Sequence, residues 1–147
     1  MGGASAVSQG ADATRDSAAD DSGDPQQAYQ DAFELVQGRK FDQAISAFEQ
    51  FNRDYPDSSL NGNAYYWLGE LYSAKSQLDD SAKSFQTVID QYAHSSKVPD
   101  ALYKLGLVRA RQGKSSESQQ LLNRVIKQYP DSNAAKMAGD FLKRTGG

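Results

Sequence analysis

The sequence predicts an all-α solenoid of three helix pairs closed by one further helix. Three observations predict it. Landmark residues recur 37 positions apart: Ala32, Gly69 and Gly106; Tyr29, Tyr66 and Tyr103; Phe48, Phe85 and Leu122; Phe51, Val88 and Val125. Each unit holds two apolar stripes at helical rather than strand spacing. A joint repeats between units as Tyr55-Pro56-Asp57-Ser58, Tyr92-Ala93-His94-Ser95 and Tyr129-Pro130-Asp131-Ser132. Units of this size cannot bury an apolar face alone, so they stack on one another.

Residues 1–23 are read as a disordered linker. They are Gly-, Ala-, Ser- and Asp-rich, with Val7 as the only branched aliphatic, and all 15 aromatics lie from Tyr29 onward. Such a stretch buries too little apolar surface to offset the entropy of ordering it. Asp12, Asp16, Asp20 and Asp21 against Arg15 give it the whole net charge of -3. It lacks the basic and apolar regions of a signal peptide. Met1-Gly2-Gly3 is compatible with a start other than the natural one, in which case the protein extends further upstream.

The repeat domain spans 24–147, with units at 24–59, 60–96 and 97–132 and a capping helix at 133–144. Asp24-Pro25 reads as a helix cap followed by proline at the first helical position. The second helices carry Phe41, Ala44, Ile45, Phe48 and Phe51, then Leu78, Ala82, Phe85, Val88, Ile89 and Tyr92, then Leu121, Leu122, Val125, Ile126 and Tyr129. The first helices carry Tyr65, Leu68, Leu71 and Tyr72, then Leu102, Leu105 and Val108. Mid-helix Ala32, Gly69 and Gly106 imply close approach of the partner helix, since glycine costs ~1 kcal/mol relative to alanine there. Pro56 and Pro130 end helices, and Ser58, Ser95 and Ser132 cap the helices after them. Asp79-Asp80 opens a helix and is read as a capping pair. In the last helix Ala135, Ala138 and Leu142 face inward, while Lys136, Lys143 and Arg144 face outward.

Composition leans away from catalysis. There is no cysteine, so no disulfide, thiolate nucleophile or zinc-thiolate site is available. The one histidine, His94, stands where Asp57 and Asp131 stand in the sister joints, and is read as an exposed loop residue. No catalytic, metal or cofactor site is expected. No apolar run is long enough for a transmembrane helix, and a pI of about 5.1 makes no case for nucleic acid. Charge nonetheless runs along the array, from -4 over 24–60 through -1 over 61–97 to +5 over 98–147. That gradient reads either as scatter on solvated faces or as a device that orients a partner. Arg109, Arg111, Lys114, Arg124 and Lys127 offer an anionic surface an alternative contact.

With Tyr65, Leu68-Gly69, Tyr72, Ser81-Ala82, Phe85 and Val88 in place, the chain resembles a tetratricopeptide repeat array, which implies a right-handed solenoid. Ala93 stands where the pattern has proline, Asp31 where it has Leu, Arg109 where it has Tyr and Ser118 where it has Ala. The period, longer than the common form, places its extra residues in the joint. Residues 24–144 further resemble the C-terminal domain of the CpoB (YbgF) family of periplasmic, Tol-Pal-associated cell-division coordinators. That resemblance rests on Asp24-Pro25, Tyr29, Ala32-Phe33, Phe41-Asp42-Gln43-Ala44, Ala64-Tyr65-Tyr66-Trp67-Leu68-Gly69 and the Tyr-Pro joints. It implies a periplasmic scaffold that binds TolA and regulates a class A penicillin-binding peptidoglycan synthase. It also implies a signal peptide and a trimeric coiled coil upstream. The 147 residues themselves are expected to be monomeric, because the repeat faces are capped at both ends and the heptads lie elsewhere.

The first helices line the groove of such arrays. The expected binding residues are Tyr29, Phe33, Val36, Asn63, Tyr66, Trp67, Glu70, Asp100, Tyr103, Leu107 and Arg111. A column of half-exposed tyrosines suits an apolar or helical peptide, since tyrosine gives contact area at low entropic cost. On this reading Ala at both 66 and 103 abolishes binding and spares the fold. The competing reading makes the tyrosines core aromatics between neighbouring helices, and Trp67 an inter-repeat packing residue. Other functions compatible with the array are a structural subunit of another envelope assembly, a generic peptide adaptor and an accessory domain of an enzyme. A binder of chaperone tails needs a Lys/Asn/Arg clamp, whereas the groove offers Tyr29, Phe33 and Asp100.

Overall fold

The computed structural model describes residues 23–146, so the linker expected before them lies, except for Gly23, outside the described residues. Seven helices succeed one another: α1 Pro25–Gln37, α2 Phe41–Asp54, α3 Asn61–Ala74, α4 Leu78–Gln91, α5 Val98–Arg111, α6 Ser115–Gln128 and α7 Asn133–Arg144. No strand occurs among the described residues. Each helix packs on the next, and α5 also touches α7. None is long and apolar enough to cross a membrane.

The predicted stops and starts have identifiable chemistry. Asp24 caps α1, its Oδ1 accepting from the Gln26 N–H at 2.9 Å. Ser132 caps α7 through Ala135 N–H at 3.0 Å. Ser58 and Ser95 do something different from the expected capping. Their hydroxyls accept from Leu60 and Lys97 N–H at 3.0 and 3.1 Å, closing a turn that leads into α3 and α5. Asp79 and Asp80 are not the capping pair either. The cap position of α4 is Gln77, which makes no side-chain cap bond, and both carboxylates lie in the first turn, where they complement the helix dipole.

The turn inside each unit places Arg39, Ser76 and Gly113 in one register, all in the left-handed region at φ 60°, 59° and 79°. Only the third unit fills that position with the residue suited to it. Between the paired helices the small residues do what their spacing predicted. A Cβ on Gly69 would lie 2.5 Å from Phe85 Cε1, and one on Gly106 would lie 2.7 Å from Leu122 Cδ2. Ser81, where the repeat pattern has alanine, is fully buried and donates to the Gly69 carbonyl at 2.7 Å.

Burial divides into two cores. Seven residues of α1, α2 and α3, among them Phe48, Phe51 and Leu68, form the first. Fifteen form the second, from Tyr66 on α3 to Leu142 on α7. Helix α3 contributes to both.

Candidate protein-interaction face

The first helices α1, α3 and α5 meet through side chains. Phe33 on α1 sets its ring 5.3 Å from Trp67 on α3, edge to face. The Tyr29 hydroxyl meets the side chains of Asn63 and Trp67, and partial burial raises its pKa despite those two partners. Between α3 and α5, Lys104 Nζ lies 3.2 Å from Glu70 Oε2, and the Tyr66 hydroxyl donates to the same oxygen at 3.4 Å. Arg111 reaches back to the end of α3 and donates to Ser73 Oγ at 2.8 Å. Of the expected residues, Tyr29, Phe33, Asn63 and Trp67 thus meet over α1 and α3, and Tyr66, Glu70 and Arg111 make polar contacts around α3 and α5. These contacts do not draw in Val36, Tyr103 or Leu107.

The tyrosine column is not uniform. Tyr66 is only 8% exposed. Its ring sits 5.6 Å from Phe85 and 5.7 Å from Trp67, with Lys97 Nζ 5.0 Å from the ring centroid. Burial, then the neighbouring charges of Glu70 and Asp100, push its phenol far above the ordinary range. Tyr29 makes the equivalent contact in the first unit, 5.5 Å from Phe48. Tyr29 and Tyr66 thus pack on the second helix of their own repeat, and the unequal burial of the row corrects the picture of equally half-exposed tyrosines. Tyr66 is a core aromatic. Tyr29, Tyr103, Phe33, Val36, Asn63, Trp67, Glu70, Asp100 and Leu107 are partly exposed, and Arg111 is exposed.

Sequence reasoning missed Lys97, whose ammonium lies over the Tyr66 ring, and Lys104, which pairs with Glu70. It also missed a cleft of about 590 Å³ between α2 and α4, floored by Tyr65, Leu68 and Tyr72 of α3. Tyr72 donates to Glu49 Oε2 there at 2.7 Å; burial first, then that carboxylate, push its pKa up to about 12. Asn52, on the wall, accepts from Asn61 Nδ2 at 2.8 Å, while Asn52 Nδ2 and Asn61 Oδ1 are buried without partners. Tyr65 and Tyr72, one on each side of Leu68, were the available signal for this second face.

Tetratricopeptide repeat profiles match residues 29–96 and 100–132. The chain belongs to the tetratricopeptide repeat family. A solved array with the same fold is the C-terminal TPR-containing domain of a Plasmodium falciparum protein described as FK506-binding. It superposes with a TM-score of 0.60 at 16% identity, over 82% of this chain and 89% of that one. In sequence this repeat domain is similar to the cell division coordinator CpoB of Pseudomonas putida, 50% identical over 50 residues. CpoB of Escherichia coli K12 is 45% identical over 51 residues. Each match spans 34% of this chain and 19% of the relative's length.

Proposed function

We propose that this repeat domain is a non-enzymatic protein-interaction scaffold of the bacterial envelope. Its first-helix face takes a segment of TolA, and the scaffold helps coordinate outer-membrane constriction with peptidoglycan synthesis during cell division. A class A penicillin-binding synthase is a second partner in this reading, the setting is the periplasm, and the 147 residues act as a monomer that an upstream coiled coil gathers into trimers. The observation that carries the reading is the patch of Phe33 and Trp67, partly exposed aromatics in edge contact across two repeats, beside the charged trio Glu70, Asp100 and Lys104. Rings presented this way supply contact area with few side-chain rotors to freeze. Similarity to CpoB supports the cell-division setting, and TolA is the partner that this resemblance implies.

Because Tyr66 is part of the core, the test replaces Trp67 and Tyr103. Calorimetry with a purified TolA segment is expected to give binding to the native chain. Losing one aromatic hot spot costs about 2 kcal/mol or more, roughly 30-fold in affinity, so the Trp67→Ala, Tyr103→Ala double variant is expected to bind undetectably. Unchanged affinity in a variant of native helicity would reject the first-helix face. No heat with the native chain would reject TolA.

A further inference from the structure

Helix α7 does more than close the array. Among the described residues Met137 is the one large apolar side chain that is exposed, at 40%. Phe141 stands one helical turn on and is partly buried, with the Arg144 guanidinium carbon 5.8 Å from its ring centroid. Lys136 and Lys143 are exposed on the same helix and enter no ion pair among the described residues, and Asp140 is its one acidic residue. The opposite side, Ala134, Ala135, Ala138 and Leu142, is buried. A helix that only shielded the array from water would carry a wholly polar outer stripe. This one carries an apolar pair set among three cations.

Register relates this stripe to the proposed binding face. Counting 37 residues on from Asn63 and Asp100 reaches Met137, and the same step from Trp67 and Lys104 reaches Phe141. Met137 thus continues the row of Asn63 and Asp100, Phe141 that of Trp67 and Lys104, and Arg144 that of Phe33, Glu70 and Leu107. We infer that α7 docks the acidic end of a partner polypeptide, one that places an apolar side chain against Met137 and Phe141 and carboxylates against Lys136, Lys143 and Arg144. Charge complementarity selects the occupant, because α7 carries three positive charges to one negative. This rests on the first-helix reading of function and adds a direction: the partner's acidic end lies at α7 and its aromatic-seeking end at Trp67.

The test uses the isotope-labelled 147-residue chain and two synthetic amphipathic helical peptides with the same leucine stripe, one flanked by glutamates and the other by lysines. The acidic peptide is expected to shift α7 amides, and the lysine peptide is not. Met137→Asp and the pair Lys136→Glu, Arg144→Glu alter exposed positions, and each is expected to weaken the acidic peptide at least about tenfold. Heparin, a polyanion without apolar groups, is expected to bind weakly and to be indifferent to Met137→Asp. Equal binding of both peptides, undiminished binding by Met137→Asp, or heparin competing as well as the acidic peptide would overturn the inference. The TolA titration of Trp67 variants reads the other end separately. Loss there with an inert α7 would leave the first-helix reading standing and remove only the docking of an acidic end.

Discussion

Gly69 and Phe85 touch so closely that no side chain fits between them, the ring carbons standing 2.5–2.7 Å from where a Cβ on Gly69 would lie. Helices α3 and α4 therefore approach over a bare backbone, and the Ser81 hydroxyl uses that nearness to reach the Gly69 carbonyl. Gly69→Ala is expected to destabilise the domain by overpacking, about 1–3 kcal/mol. Gly106→Ala, which meets a leucine with rotamers to spare, is expected to cost less, and Gly106→Leu more. Urea unfolding of the three variants checks the order, and an unchanged midpoint for Gly69→Ala would contradict the packing.

Tyr66 separates burial from binding. Tyr66→Ala removes a ring held between Phe85 and Trp67 and is expected to cost about 3–5 kcal/mol of stability. Tyr66→Phe surrenders only a 3.4 Å bond to Glu70 and is expected to cost under about 1 kcal/mol. Thermal unfolding distinguishes them. Similar melting temperatures for both would place the ring outside the core.

Left-handed backbone at Ser76 predicts a stabilising change. Relief of about 1–2 kcal/mol is expected when an L residue at such a position becomes glycine. The greater freedom of glycine in the unfolded chain takes back about 0.4–1 kcal/mol, so Ser76→Gly is expected to gain roughly 0.5–1 kcal/mol. Denaturant midpoints of the variant and parent check it, and a loss would mean that the Ser76 hydroxyl, 3.3 Å from Arg111 Nη2, matters more than the backbone.

Alkali should weaken the fold through its tyrosines. The Tyr72 phenol ionises at 10.0 when unperturbed and at about 12 in the folded state, because burial and Glu49 favour its neutral form. Above pH 10 the unfolded chain gives up this proton first and holds fewer protons than the folded one, so stability falls as pH rises. The contribution is complete below pH 10 and lost as pH climbs toward about 12. Tyr72→Phe is expected to flatten that decline while costing stability at neutral pH through the lost bond to Glu49. Melting temperatures from pH 8 to 11.5 read both effects, and parallel curves would reject the assignment.

Much of the architecture was legible because the repeat multiplies weak signals. A single mid-helix glycine says little, but Gly69 and Gly106 in one register announce two close helix crossings. What stayed hidden depends on three-dimensional neighbours that differ between units. Tyr29 and Tyr66 share a row, yet Tyr66 is enclosed by Trp67, Phe85 and the Lys97 ammonium, which no row predicts. The strained turn is hard to see in sequence because glycine marks it only at 113, with Arg39 and Ser76 in the sister positions. The cleft beside Tyr72 is concealed for a related reason: Tyr65 and Tyr72 are family landmarks, and a landmark's opposite edge can face solvent.

The unequal cores carry a mechanical consequence. Helices α1 and α2 close over seven buried side chains, some of them on α3, whereas fifteen tie α3 to α7. In a stacked array each unit leans only on its neighbours, so a weak terminal unit can detach while the others hold. Tension applied at Asp24 would therefore peel α1 and α2 away first, lengthening the molecule in one step and leaving the Lys104–Glu70 region and α7 assembled. The amino-terminal unit would then act as a mechanical fuse, and the aromatic contact between Phe33 and Trp67 would be the first part of the proposed binding face to open.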